Sequence, residues 1–274
     1  MTSANSERCV TVALTGNPNC GKTTLSNALT GSTDSVGNYP RVTVARTEHV
    51  VHHRGWEIHL VDLPGIYSLT SHSPEERIGR DFIHHQQPDI VVNVLDATSL
   101  DRSLFLTTQL IEMGLPRVYA LNMIDEARNK GIGIDTDDLV TMLGGKVVET
   151  VGVSGEGCDA LLDAVVDTAE TLNGATPMVI PYDGHLEKAI GRVRDLVAKL
   201  HPKTLNDMQA RWLSIKLLEG DDEIVRQEND HEHLVEMLRR ERYDLAKSHG
   251  EDSETLFANG RYGFIHGLLT EARS

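Results

Sequence analysis

The chain has 274 residues, of which 39% are hydrophobic and 24% are charged, so it can form one large domain or two ordinary ones. Its formal net charge is −15 and it carries no basic stripe, which argues against nucleic acid as a partner. Cys9, Cys20 and Cys158 are far apart, which favours neither disulfides nor a paired-cysteine metal site. No apolar run is long enough to span a bilayer and no secretory signal is visible, so we expect a soluble protein in a reducing compartment.

Strand and helix patterns alternate along the first part of the chain. The turn at His53-Arg54-Gly55 joins two strand patterns into a predicted antiparallel hairpin, and residues 31–41 have the composition of a loop. Strands are predicted over 9–14, 43–52, 56–62, 90–95, 118–121 and 146–151, and helices over 23–29, 100–113, 136–143 and 159–172. This alternation predicts an α/β fold with a mostly parallel sheet and helices on both faces.

The pattern changes after Gly174. Pro177 and Pro181 bracket a short segment, and apolar residues at three- and four-residue spacing then predict successive helices. We therefore predict a flexible N-terminus over 1–8, a nucleotide-binding domain over 9–172, a linker over 173–182 and a small all-α helical domain over 183–274.

A phosphate-binding loop is predicted at residues 16–23. Its sequence GNPNCGKT matches GxxxxGK[ST] directly after a strand and before a helix, the context that the motif requires. Lys22 can reach the outer phosphates of a nucleotide, and the Thr23 hydroxyl can ligate Mg2+. The predicted nucleotide-binding residues here are Gly16, Asn17, Pro18, Asn19, Cys20, Gly21, Lys22, Thr23 and Thr24. A chance match in a turn is the alternative.

Two further segments suit the terminal phosphate. The run Asp62-Leu63-Pro64-Gly65 ends a predicted strand, where the Asp62 carboxylate can hold a water on Mg2+ and the Gly65 N–H can sense the phosphate. Thr43 lies in the loop between the phosphate loop and Asp62, and its hydroxyl can be the second protein ligand of Mg2+. Loss of the terminal phosphate would release this loop, which is an order–disorder switch. Taken singly, these segments are an ordinary strand-end turn and a surface threonine; their order in the chain favours the nucleotide interpretation.

The run Asn122-Met123-Ile124-Asp125 has the pattern NxxD. The Asp125 carboxylate can accept two hydrogen bonds from guanine, whereas adenine would leave it unpaired at a cost of about 1–3 kcal/mol or more. GTP is therefore the expected nucleotide. A fifth contact, from backbone N–H groups to the guanine oxygen, is expected from Gly152, Val153 and Ser154, with a plain glycine-rich loop as the alternative.

The ordered set of segments resembles the translation-factor class of P-loop GTPases and, within it, the cytosolic N-terminal part of the ferrous iron transport protein B family. The characteristic runs are GNPNCGKT at 16–23, VGNYP at 36–40, VDLPGIYSL at 61–69 and NMIDEA at 122–127. The resemblance is specific over 9–170 and looser over 183–274, where ANGRYGFI at 258–265 is similar to the end of the family's helical domain. Arg41 stands where the family commonly has a small residue before Val-Thr. The segment predicted for the fifth contact, which contains residues 152–154, is shorter and less regular than the loop often found in the family.

The resemblance implies a GTP-binding and GTP-hydrolysing module of a bacterial ferrous iron transporter, with a helical domain that slows nucleotide release. It implies switch loops that couple the nucleotide to Fe2+ uptake through a transmembrane permease outside this chain, at the cytoplasmic face of the inner membrane. This chain would then be a soluble fragment. A small cytosolic partner of the transporter and an oligomer are further candidates for its interactions.

Catalysis is expected to rest on Lys22, Thr43 and Gly65. Ile66 stands where many switch GTPases have a water-orienting Gln, so no side-chain water positioner is visible and turnover is expected to be slow. The resemblance implies that Asn19 helps to hold K+, which would stabilise transition-state charge as an arginine finger does. The alternative for Asn19 is a turn-favouring residue.

Three other interpretations compete. A ribosome- or RNA-associated GTPase shares the nucleotide motifs, but an RNA-binding appendage should be basic, and residues 183–274 hold 14 basic and 18 acidic residues. A module that binds GTP without turnover is the second. A metal site among the thirteen histidines is the third, but the spacing of these histidines favours solvated side chains. The acidic run at 219–223 is likewise expected to be a solvated loop and not an ion site.

Overall fold

The computed structural model describes residues 8–31, 35–38, 45–70, 73–171 and 178–272. Two compact units make up the chain. Where described, the first consists of residues up to 107, 115–171 and 270–272, and the second of residues 108–114 and 178–269. Part of the predicted linker, residues 173–177, lies outside the described residues.

The first unit is built on a sheet whose described strands run in the order β2-β3-β4-β1-β5-β6-β7. Strand β1 pairs in parallel with β4 and β5, and the pairs β5–β6 and β6–β7 are parallel as well. Only the edge pairs β2–β3 and β3–β4 are antiparallel among the described strands. The strands are β1 Arg8–Gly16, β2 Ser35–Asn38, β3 Ala45–His53, β4 Trp56–Asp62, β5 Ile90–Asp96, β6 Arg117–Asn122 and β7 Lys146–Thr150.

Helices connect the parallel strands. They are α1 Lys22–Thr30, α2 Pro74–Asp81, α3 Leu100–Glu112, α4 Ile124–Asn129, α5 Thr136–Leu143 and α6 Cys158–Glu170. A short π-helical turn, Phe82–Gln86, continues α2. Strands β5 and β6 are buried almost throughout, as expected of parallel strands covered by helices, and α6 adds Leu161, Val165 and Val166 to the core.

These elements confirm the predicted fold class, including the hairpin of β3 and β4. The loop prediction over 31–41 is wrong where β2 forms. The composition Ser-Val-Gly-Asn has little strand propensity, and β2 exists because its backbone pairs with β3, from Ser35 opposite Glu48 to Asn38 opposite Ala45. Helix α2 was not predicted, although Ser73 and Glu76 form a reciprocal capping box at its start.

The second unit is helical. Each of α7, α8 and α9 begins after an Asp or Asn side chain that accepts backbone N–H groups of its first turn, namely Asp183, Asn206 and Asp221. Helix α7 contacts both α8 and α10. The helices are α7 Gly184–Leu200, α8 Asp207–Glu219, α9 Asp222–Gln227, α10 Glu232–His249 and α11 Ser253–Ala272, the last of which runs beyond this unit at its end. No helix in the described ranges is both long and apolar enough to cross a membrane.

A buried charged cluster lies inside the second unit. The Arg261 guanidinium donates to both oxygens of Glu112, each at 2.8 Å, and also to Glu219, while the Lys216 ammonium donates to Glu219 at 2.9 Å. The Tyr182 hydroxyl donates to Glu112. The expectation of a solvated acidic run at 219–223 is therefore wrong for Glu219, whose side chain is 8% exposed because α8 turns it towards two cations.

Candidate functional site

The predicted site residues that the structure describes follow the carboxyl ends of four parallel strands. Strand β1 leads into the phosphate loop, β4 into the segment at 62–65, β6 into the segment at 122–125 and β7 into the turn at 150–157. In a parallel sheet these ends share one edge, where α/β folds bind their ligands.

The phosphate loop curls tightly between β1 and α1. Asn19 and Gly21 have φ angles of 68° and 79°, in the left-handed region, and the Cys20 N–H donates to the Asn17 carbonyl at 3.2 Å. A Cβ at Gly16 would lie 2.7 Å from the Val94 carbonyl oxygen, so only glycine fits there. Helix α1 begins at Lys22, which places its free N–H groups at the loop.

Side chains around this loop differ in exposure. Asn19, Thr23 and Thr24 are exposed, whereas Cys20 is buried. Burial raises the pKa of the Cys20 thiol to about 11, although the Lys22 charge and backbone N–H groups oppose the shift. Cys20 therefore remains a neutral thiol at physiological pH.

The segment after β4 folds back onto the phosphate loop. The Leu63 N–H donates to the Leu14 carbonyl at 3.0 Å and the Ile66 N–H to the Gly16 carbonyl at 3.1 Å. A Cβ at Gly65 would lie 3.2 Å from Pro18 Cα, so glycine permits this close approach. The backbones of the phosphate loop and of the segment at 62–65 are thus held together.

Lys22 and Asp62 join these segments through their side chains. The Lys22 ammonium donates to Asp62 Oδ1, and the side chains are 10% and 13% exposed. The residues predicted to bind phosphate and to support Mg2+ are therefore direct neighbours.

Asn122 connects the phosphate loop with the remaining segments. Its Nδ2 donates to the Cys20 carbonyl at 2.9 Å, and its Oδ1 accepts from the Gly152 N–H at 3.0 Å and the Thr150 hydroxyl at 3.2 Å. Asn122 is 2% exposed, so its amide acts as a buried cross-link. The left-handed Met123, with φ 60°, follows it and is the N-cap of α4.

Asp125 lies in the first turn of α4 and is exposed. Its carboxylate is thus accessible to a ligand.

The structure separates the three residues predicted for the fifth contact. Gly152 is buried beside Asn122, and a Cβ there would lie 3.0 Å from the Leu25 nitrogen of α1. Val153 is 91% exposed, and Ser154 hydrogen-bonds through its hydroxyl and its N–H to the Val151 carbonyl of its own turn. Of these three residues, only Gly152 is therefore tied to the segment at 122–125.

Thr43 and Arg41 lie outside the described residues, so the predicted switch threonine has no geometry to report. The segment that begins at Asp62 is described up to residue 70. Ile66 is 2% exposed and its side chain lies against Gly79 of α2, which carries it away from solvent.

Two supporting contacts were not predicted. The Asn17 side chain donates to the Arg102 carbonyl of α3 at 2.7 Å, a link between residues 85 positions apart that no local pattern signals. After Gly65, the Glu76 carboxylate accepts from the hydroxyls of Ser68 at 2.8 Å and Thr70 at 3.3 Å, which ties this loop to α2. The spacing of Ser73 and Glu76 was the available signal for that second contact.

The expectation of solvated histidines is wrong for several side chains. His49 is 3% exposed. His84 is partly buried, and burial, with the charges of His85 and Arg80, lowers its pKa to about 4. In the second unit His201 lies together with Glu228 and His231, although it is 27 positions from Glu228 in the chain.

Comparison with known protein families gives two matches. Residues 10–165 match the family model described as Ferrous iron transport protein B, and residues 182–274 match that of the FeoB cytosolic helical domain.

Full-length relatives extend well beyond the matched region. The chain is 39% identical over 269 residues to the Fe(2+) transport protein A/Fe(2+) transporter FeoB fusion protein of Porphyromonas gingivalis, covering 96% of this chain and 32% of that protein. It is 40% identical over 221 residues to the Fe(2+) transporter FeoB of Escherichia coli, covering 77% of this chain and 27% of that protein. The chain thus spans about a third or less of these relatives.

Solved structures of cytosolic FeoB domains have the same fold. A GDP-bound mutant of the S. thermophilus FeoB G-domain superposes with a TM-score of 0.86 at 36% identity, covering 97% of this chain and 100% of that one. The cytosolic domain of T. maritima FeoB in a GDP form gives a TM-score of 0.83 at 32% identity, with coverages of 97% and 100%.

Proposed function

The chain belongs to the ferrous iron transport protein B family, and from this we propose that it is the GTP-binding and GTP-hydrolysing regulatory module of a bacterial ferrous iron transporter. One observation supports this most strongly: the phosphate loop, the segment at 62–65 and the segment at 122–125 are joined by direct hydrogen bonds at one sheet edge. Curled backbone N–H groups and Lys22 suit a triphosphate, and exposed Asp125 suits guanine.

Mg2+ fits the oxygen donors of this site. The Thr23 hydroxyl and the Asp62 carboxylate are hard donors next to Lys22, and Mg2+ in nucleotide sites is held by one or two such groups together with phosphate oxygens. We assign Thr23, Asp62 and Thr43 to Mg2+. When bound, the ion would neutralise charge on the phosphates.

Hydrolysis requires that a water oxygen bond to the γ-phosphorus while the bond from that phosphorus to the β,γ-bridging oxygen breaks, which yields GDP and phosphate. Lys22 stabilises the negative charge on the phosphate oxygens, and the Gly65 N–H orients the γ-phosphate. The buried Ile66 side chain can neither donate nor accept a hydrogen bond to the attacking water. We therefore propose slow intrinsic turnover.

Asn19 is the proposed K+ ligand. Its side chain is exposed on the left-handed turn of the phosphate loop, so its amide oxygen is accessible to a cation beside the phosphates. A monovalent cation there would supply positive charge to the transition state.

Coupling to iron follows from the switch segments. We propose that the loop containing Thr43 and the loop at 62–70 change with the nucleotide and regulate Fe2+ passage through a membrane domain of the full-length protein, at the cytoplasmic face of the inner membrane. We also propose that the helical unit slows nucleotide release, and that a small cytosolic partner and self-association contribute to regulation.

Phosphate release from GTP by the 274-residue chain, in matched K+ and Na+ buffers, tests this function. We expect K+ to raise the turnover rate by roughly tenfold or more, towards the 10³–10⁵ that an arginine finger supplies. Asn19→Ala should abolish the difference, whereas Asn27→Ala, an exposed position on α1, should retain it.

Each remaining result has a defined meaning. GTP binding with no phosphate release in either buffer would mean that the protein binds GTP without hydrolysing it. The absence of guanine-nucleotide binding would overturn the proposed function altogether. Equal turnover in K+ and Na+ would remove only the potassium assignment.

A further inference from the structure

Three segments of the second unit bring metal-binding side chains together. His201 directly follows α7, Glu228 directly follows α9, and His231 directly precedes α10. They are separated by 27 and 3 positions in the chain, so the packing of these helices brings His201 to the other two.

The donor atoms are close enough to share one ion. His201 Nε2 lies 3.0 Å from Glu228 Oε2, and His231 Nε2 lies 3.8 Å from the same oxygen. All three donor atoms lie within 4.8 Å of one another. Ligands about 2.0–2.1 Å from a tetrahedral ion stand roughly 3.3 Å apart, so shifts of about 1 Å or less would complete the geometry.

Burial favours a formed site over three independent surface groups. The Glu228 side chain is 12% exposed, and the imidazoles of His201 and His231 are 27% and 39% exposed. The two rings meet edge to face with centroids 5.9 Å apart, so each ring restricts the orientation of the other. The partly exposed imidazoles leave a route for an ion from solvent.

The backbone also restrains two of the ligands. The His231 N–H donates to the Glu228 carbonyl at 3.1 Å, and the Leu234 N–H at the start of α10 donates to the His231 carbonyl at 2.9 Å. A preorganised pair of ligands reduces the conformational entropy lost when an ion binds.

From this cluster we propose a binding site for a first-row divalent transition-metal ion, such as Zn2+ or Fe2+, with His201, His231 and Glu228 as its protein ligands. Two imidazoles and one carboxylate form a donor set that such ions accept with open positions for water, whereas Mg2+ and Ca2+ prefer oxygen alone. Binding would cross-link the end of α7, the end of α9 and the start of α10.

Two other groups of donors in the described residues suit an ion less well. In the group Asp183, His185 and His249 every side chain is exposed, and Asp183 Oδ1 already accepts two backbone N–H groups as a helix cap. The group Cys9, Glu57 and His59 needs a thiolate, but burial and the charges of Glu57 and Asp89 raise the pKa of Cys9.

Titration of the tag-free 274-residue chain with Zn2+ and with Co2+ tests the proposal. We expect one tight equivalent, and with Co2+ the visible absorption bands of a nitrogen- and oxygen-ligated ion. His201→Gln and His231→Gln should each weaken binding by roughly 10- to 100-fold or more, since even the loss of a supporting group costs that much at metal sites.

Matched variants separate this site from the others. His249→Gln alters the exposed histidine pair, and Glu228→Gln keeps the size of the carboxylate while it removes the charge. We expect His249→Gln to bind as the wild type does and Glu228→Gln to lose affinity, while guanine-nucleotide binding and circular dichroism stay unchanged in all four variants. An anaerobic Fe2+ titration then distinguishes a site that accepts the transported ion from one limited to Zn2+ and Co2+.

Several results would overturn the proposal. These are no metal binding by the wild type at micromolar concentrations, loss of the tight equivalent in His249→Gln, or its retention in both His201→Gln and His231→Gln. If the circular dichroism of a histidine variant differs from that of the wild type, the Co2+ spectrum of Glu228→Gln provides the test instead. The Co2+ bands must weaken or shift in that variant if Glu228 is a ligand.

Discussion

The Lys22 ammonium donates to the Asp62 carboxylate, and both side chains are almost buried between the phosphate loop and the loop that follows β4. A bound nucleotide and its metal ion would use both of these groups. The pair therefore orients two side chains from different elements, the first residue of α1 and the last residue of β4.

Lys22→Met should weaken GTP binding by roughly 10- to 100-fold, because a hydrogen bond to a charged group contributes about 1.5–3 kcal/mol. Asp62→Asn should instead make the nucleotide affinity less dependent on Mg2+. Fluorescent-nucleotide titrations with and without Mg2+ measure both effects. Lys130→Met, at an exposed lysine after α4, is the control, and equal affinities of Lys22→Met and the control would contradict the assignment.

Asp125→Asn should reduce the preference for GDP over ADP by roughly 10- to 100-fold, because the amide cannot accept both guanine hydrogen bonds. Isothermal titration calorimetry with the two nucleotides measures the ratio. Glu126→Gln changes the next carboxylate, which is also exposed, and should leave the ratio as it is. An unchanged ratio in Asp125→Asn would mean that another group selects the base.

Asn122→Ala should lower the free energy of unfolding of the first unit by about 2–4 kcal/mol, since three buried hydrogen bonds are lost at roughly 1 kcal/mol each. It should also weaken nucleotide binding, because the phosphate loop loses its link to the turn at Gly152. Urea denaturation and nucleotide titration test this, with Asn129→Ala at an exposed position of α4 as the control. Equal unfolding midpoints for the two variants would exclude the cross-linking role.

Arg261→Met should destabilise the second unit by about 3–5 kcal/mol, because it leaves Glu112 buried without its guanidinium partner. Arg239→Met removes a surface ion pair with Glu236 and should cost about 1 kcal/mol or less. Hydrogen exchange of the second unit measures the difference. Similar protection in the two variants would show that the buried cluster contributes little.

The same cluster predicts a response to acid. Burial opposes ionisation of Glu219, but Arg261 and Lys216 outweigh it and lower the pKa of Glu219 to about 2. The stability that this carboxylate contributes is present above its usual pKa near 4.5 and is lost as pH falls towards 2. The difference in unfolding free energy between the wild type and Glu219→Gln should therefore shrink between pH 4.5 and pH 2; a constant difference would contradict the ion-pair account.

Local sequence was sufficient for most of the first unit. The run from Gly16 to Thr23 encodes its own backbone curl through glycines and a helix start, and apolar runs such as Ile90–Asp96 predict buried parallel strands. The chain order of the segments favoured the nucleotide interpretation, and the structure shows that parallel strands bring Lys22, Asp62 and Asn122 to one edge of the sheet. The roles assigned to the individual site residues, including Lys22, Asp62, Asp125, Thr43 and Asn19, stay predictions.

Other features depended on contacts between distant residues. Strand β2 forms through its pairing with β3, Glu219 is buried by cations from α8 and α11, and His201 meets Glu228 only where helices of the second unit pack. A sequence pattern reports the periodicity of one element, but it carries no information on which face of another element lies opposite. That is why the sequence alone determined the phosphate loop and the fold class, while the tertiary structure decided the edge strand, the buried charges and the cluster of His201, Glu228 and His231.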